Sequence, residues 1–134
     1  MIIKEDQELS AWLSLCQTPK IGNKYIHFLL HHFENAAQIF DSKNLPLEVK
    51  RKDTLRLIER CRNHKSKPST IKKVQQALDW RQQDNHHLIS IHCDTYPPLL
   101  KEIPDPPLLL YIIGSLKALR LPQIAIVGSA QAAR

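Results

Sequence analysis

Ten of the chain's 19 lysines and arginines fall within residues 50–73, where only Asp53 and Glu59 oppose them, so the stretch carries a net +8 and leaves the remainder at −2. Such concentration is chemistry for a polyanion: each Lys or Arg that neutralises a phosphate releases condensed counterions and adds affinity without reading sequence. Lys50, Arg51, Lys52, Arg56, Arg60, Lys72 and Lys73 make up the candidate nucleic-acid-facing patch, with Arg62, Lys65 and Lys67 among them. The same charges would serve equally as the solvated faces of two surface helices. No aromatic residue lies between Phe40 and Trp80, so contact here would be phosphate-led and sequence-tolerant.

Only three glycines occur, and each closes a regular stretch. Gly128 and Ser129 follow the apolar residues 124–127, as in the first turn of a doubly wound fold, where backbone N–H groups at the next helix start meet a phosphate. The full G-x-G-x-x-G pattern is absent, and an ordinary strand-to-helix turn explains the pair as well. Gly22 sits in a predicted helical hairpin between Lys20 and Lys24, an arrangement that could hold a DNA phosphate or simply satisfy packing between two helices.

Other chemistries find less support. His86, His87, His92 and Cys93 are zinc-ligand types, but no second ligand pair stands at finger spacing and strand alternation sends His87 and His92 to different faces, so no metal site is expected. Cys16, Cys61 and Cys93 are too scattered for a CxxC pair or a disulfide framework and read as reduced, mostly buried small hydrophobes. Nothing forms a nucleophile–base pair or paired carboxylates, so no catalytic residues and no cofactor are expected, and a nucleotide enzyme built on the Gly128 loop is the weakest reading. Every apolar run is broken by Lys, Asp or Pro before bilayer-spanning length, and the start of the chain lacks a signal peptide's apolar stretch, so no membrane partner and a cytoplasmic location are expected.

The elements that must position these residues divide near residue 85. Leu9, Trp12, Leu13, Leu15 and Cys16 recur at three- and four-residue spacing and predict a helix; Tyr25, Ile26, Phe28, Leu29, Leu30 and Phe33 predict a second. Ala36, Ala37, Ile39 and Phe40 predict a short third helix closed by the polar residues 41–44. Leu45, Leu47 and Val49 lead into Leu55, Leu57, Ile58 and Cys61 as a fourth, and Pro68 with Ser69 as N-cap opens a fifth. Residues 87–91, 108–113 and 124–127 then read as buried strands. Between the first two lies a proline-rich connection, residues 96–107, able to hold only a turn or two of helix after Pro97 and Pro98. A third strand has few partners here, so residues 124–127 are expected to lack order, to pair with residues 108–113, or to swap into another molecule.

Tyr96, Pro97, Leu100, Ile103, Asp105, Pro106, Pro107, Leu109, Tyr111 and Gly114 stand at the spacing of the YP..L..I.DPP..LY..G motif, followed by residues 124–129 as IAIVGS. Their order strongly resembles the DprA/Smf family. Trp12, Leu13, the hairpin at residues 19–22, Leu29, Leu30 and Phe33 look like that family's sterile-alpha-motif-like or helix–hairpin–helix-like N-terminal domain. The resemblance implies a helical domain over residues 1–84 and the truncated start of an α/β Rossmann-like domain over residues 85–134. It implies a non-enzymatic DNA-processing protein of natural transformation that binds single-stranded DNA, dimerises and helps to load a RecA-type recombinase. It also implies a DNA-contacting role for the loop of Gly128 and Ser129. This chain has Ala130 where the family has Arg, which removes a bidentate phosphate clamp and weakens DNA binding there. The alternative is a protein-interaction or self-association module with an incidental basic face.

Overall fold

The computed structural model describes residues 5–41, 43 and 45–129. Among them run α1 (Glu5–Gln17), α2 (Asn23–His31), α3 (Ala36–Asp41), α4 (Lys52–Lys65), α5 (Pro68–Arg81), β1 (His86–Ser90), α6 (Pro98–Lys101) and β2 (Leu109–Ile113), with 3₁₀ turns at Leu47–Val49 and Leu116–Arg120. The described residues are thus mostly helical, with one small sheet.

Helix α1 is the hub. Glu5, Asp6 and Glu8 in its first turn complement the positive end of the helix dipole, and Arg81 at the end of α5 pairs with Glu5 and Asp6. Leu9, Trp12, Leu13 and Leu15 are buried on its inner side. Helix α3 is only six residues long and too short to hold itself. Its amides find side-chain acceptors instead: Asn35 Oδ1 takes the Gln38 N–H at 3.0 Å, and the Glu8 carboxylate, reaching across from α1, takes those of Ala36 and Ala37 at 2.7 and 3.2 Å.

One cluster joins Trp12, Leu15, Leu29, Ile39, Val49 and Ile58 to Ile89, Ile91, Tyr96 and Leu108, so apolar contact runs unbroken across residue 85. A second, smaller cluster joins Leu9, Leu13, Ala77 and Leu88. Strands β1 and β2 are antiparallel, with His86 opposite Ile113 and Ser90 opposite Leu109. Gly114, at φ 121°, follows β2 in a conformation that side-chain-bearing residues rarely adopt, and its N–H bonds to the Asn85 carbonyl at 2.8 Å. In the proline-rich connection, α6 is a single turn after Pro97, and buried Tyr96 donates its hydroxyl to the Pro107 carbonyl at 2.7 Å.

Several expectations are corrected. Residues 124–127 form no strand and do not pair with β2; Ile124, Ile126 and Val127 are 90, 94 and 91% exposed. A strand gains its hydrogen bonds only beside a partner, and the sheet has just two strands. The fourth helix does not run back through Leu45: Val49 enters the core from a separate 3₁₀ turn, and the chain breaks before α4. Helix α5 is capped by Lys67 rather than Ser69, because Pro68 at the first helical position has the right φ and no N–H to satisfy. Of the cysteines, Cys61 is buried, Cys93 is half-buried and Cys16 is exposed. Ser42 and Asn44 of the expected polar loop, and Ala130, lie outside the described residues.

Candidate nucleic-acid interface

Helix α4 turns Thr54, Ile58 and Cys61 inward. The 3.6-residue repeat therefore sends Lys52, Arg56 and Arg60 to the opposite, exposed side. Not every cation of the run joins them. Arg62 donates Nε–H to the Ile39 carbonyl at 2.9 Å, and Lys65 lies over the Phe40 ring at 4.7 Å, so both are turned toward α3.

Two clefts separate α4 from the α1–α2 hairpin. The first, of about 380 Å³, is lined by Pro19 of the hairpin and by Arg56, Arg60, Asn63, His64 and Lys67, with Glu59 as its one carboxylate. The second, of about 390 Å³, is lined by Lys24, Tyr25 and Phe28 of α2 and by Arg51, Asp53 and Thr54 at the start of α4. Tyr25 Oη and Thr54 Oγ1, 3.3 Å apart, share a hydrogen bond across it. The fold thus brings the hairpin cation Lys24 beside Arg51, and hairpin residue Pro19 beside Arg56 and Arg60, across more than twenty residues of sequence.

Lys20 and Gly22 play different parts in the hairpin's backbone. Lys20, not Gly22, takes the left-handed conformation, with φ 62°. Gly22 is the N-cap of α2, extended at φ −75° and ψ 155°, and a Cβ there would meet nothing within 4 Å. Packing therefore does not demand glycine at this position. Among the described residues no side chain caps the first turn of α2 or of α4.

The remaining candidates lie apart. Lys50 is exposed before α4, and Lys72 and Lys73 are exposed on α5, lining neither cleft. Gly128 and Ser129 are exposed in a stretch without regular structure, so the described residues show no strand-to-helix turn around them. Phe28 and Tyr25 are the residues that sequence reasoning missed. Phe28 falls off the buried stripe of Ile26, Leu29 and Leu30, which was the available signal, but only the fold places it near a cation of the basic run.

The histidines serve separate ends: His86 Nδ1 lies 3.0 Å from the Trp80 carbonyl, His87 Nε2 lies 3.1 Å from that of Gly114, and His92 packs edge-on against Trp12. Among the described residues no group of three or more His, Cys, Asp or Glu could hold a metal ion, and no helix is long and apolar enough to cross a membrane. Burial pushes the Cys61 thiol above its usual pKa, which keeps it protonated and a poor nucleophile.

Comparison with known proteins bears on residues around and beyond β1. Residues 87–134, which contain Tyr96, Asp105, Pro106, Pro107 and Gly128, match the family described as DNA recombination-mediator protein A. Over these residues the chain is similar to the DprA/Smf family. Protein Smf of Escherichia coli (strain K12) is 43% identical over 58 residues, 43% of this chain and 16% of that protein. Protein Smf of Synechocystis sp. is 27% identical over 128 residues, 92% of this chain and 31% of that protein, so likeness to the DprA/Smf family extends through the helical part. The chain spans less than a third of the length of these relatives. No solved structure matches it.

Proposed function

We propose that this chain is a DNA-handling portion of a recombination mediator, binding single-stranded DNA through its phosphates along α4 and the adjoining hairpin. The observation that carries the reading is the gathering of Arg56, Arg60 and Lys67 on one cleft beside the hairpin and of Lys24 and Arg51 on another, in a chain whose residues 87–134 match a DNA recombination-mediator family. Cations held on one exposed surface track a polyanion backbone; cations scattered over a sphere do not. The glycine at position 22, which packing does not require, leaves the hairpin backbone open to close approach by a phosphate. Lys50, Lys72 and Lys73 extend the field at its edges, and Gly128 with Ser129 adds a backbone contact in the whole protein. The division near residue 85, a sterile-alpha-motif-like helical part and a Rossmann-like continuation, cytoplasmic action, natural transformation, and loading of a RecA-type recombinase without enzymatic chemistry belong to the same proposal and rest on the family.

Electrophoretic mobility shift over a salt series tests it. Unpaired DNA should be retarded at low salt and released as salt rises. Replacing Arg56 and Arg60 with glutamate should weaken binding more than the same change at Lys72 and Lys73. No shift at low salt would remove the proposal.

Self-association is favoured by a different observation: Leu121, Ile124, Ile126 and Val127 form an exposed apolar stretch after β2. Sedimentation of the chain with and without Ile124→Asp and Ile126→Asp distinguishes a dimer built on this stretch from a monomer.

A further inference from the structure

The cleft between α2 and the start of α4 carries something the α4 stripe lacks, namely aromatic rings beside cations. Phe28 is 37% exposed, whereas Phe33 is buried and Phe40 lies beneath Lys65. Its ring is braced edge-on by Tyr25 at 5.8 Å and His32 at 4.7 Å, its neighbours on the helix surface. Tyr25 is in turn held to α4 through Thr54. A braced ring loses little side-chain freedom when something stacks on it.

Lys24 and Arg51 supply two cations to the same cleft, and Asp53 supplies a carboxylate. Asp53 disfavours phosphate inside, so an anionic backbone would follow the cations while a neutral, flat group enters beside Phe28. An unpaired nucleotide strand has this pattern, whereas a duplex keeps its base faces stacked. We propose that this cleft is a base-stacking subsite for unpaired DNA, in which one base stacks on Phe28 and the flanking phosphates pair with Lys24 and Arg51. The inference rests on the reading of the chain as a single-strand binder and deepens it, because it adds a contact that recognises bases as well as phosphate.

The test uses the full chain and fluorescence anisotropy with two labelled probes of equal length, an oligothymidylate and an oligomer that is abasic throughout. Both carry the phosphates, and only the first carries bases. The wild-type chain should prefer the oligothymidylate by roughly tenfold, the scale of a single base–aromatic stack. Phe28→Leu, which keeps apolar bulk and loses the ring, should abolish that preference while leaving affinity for the abasic probe unchanged; Phe28→Trp should keep it. Lys24→Gln with Arg51→Gln should weaken both probes and reduce the salt slope by about 1.4, for two phosphates on a single strand.

Equal affinity of the wild-type chain for both probes, or a preference that survives Phe28→Leu, would overturn the stacking subsite while leaving phosphate-led binding intact. Failure of the wild-type chain to bind either probe at low salt would instead bring down the underlying reading. The wild-type comparison needs no variant, so the subsite is tested even if Phe28→Leu does not fold.

Discussion

Glu8 in α1 accepts the backbone N–H of Ala36 at 2.7 Å, so the first turn of α3 is capped by a carboxylate 28 residues earlier in the chain. The same side chain takes the Ala37 N–H at 3.2 Å and the Trp12 indole N–H at 3.1 Å. Glu8→Ala should therefore destabilise the fold by about 1–3 kcal/mol, the range for stranding part-buried donors. Urea unfolding followed by tryptophan fluorescence measures it. An unchanged midpoint would show that α3 does not depend on this cap.

Tyr96 gives the second prediction. Its buried hydroxyl donates to the Pro107 carbonyl and ties the two ends of the proline-rich connection together. Tyr96→Phe keeps the ring and leaves the carbonyl without this donor, which should cost about 1–2 kcal/mol in the same unfolding experiment.

Much of this architecture was legible because it is local. The three- and four-residue spacing of Leu9, Trp12 and Leu13 locates α1, and the prolines confine α6 to one turn. What the sequence concealed depends on long-range partners. No local pattern announces that Glu8 caps α3, that Arg51 and Phe28 line one cleft, or that Arg62 and Lys65 turn away from the other cations of their run. Residues 124–127 show the converse failure: their composition is that of a buried strand, but composition alone supplies no neighbour, and no described strand pairs with them.

Gly114 should tolerate no side chain. Its φ of 121° is a glycine conformation, although a Cβ would meet nothing within 4 Å, so the penalty for Gly114→Ala is backbone strain rather than collision. The expected loss is about 1–3 kcal/mol. Thermal unfolding by circular dichroism checks it, with Gly22→Ala as a comparison that should leave the hairpin unstrained because its φ is −75°.

Stability should also fall on mild acidification. Burial lowers the pKa of His92 below its usual 6.5, with His27 and Lys101 adding to the effect and Glu8 opposing it. The unfolded chain then takes up the proton more readily than the folded one. The contribution is complete above the unfolded-state pKa and is lost as pH falls through and below it. Unfolding midpoints of wild type and His92→Asn should differ in their pH dependence within that window, and parallel curves would exclude His92 as a source.

The central claim is that cations of α4 and the hairpin hold the backbone of unpaired DNA, and the salt dependence of oligothymidylate binding tests it most directly. If Lys24, Arg51, Arg56, Arg60 and Lys67 each meet one phosphate, log affinity should fall with log salt at a slope of about −3.5, and Arg56→Ala with Arg60→Ala should bring it to about −2.1. Binding that is absent at low salt, or that keeps the same slope in the double variant, would contradict the account.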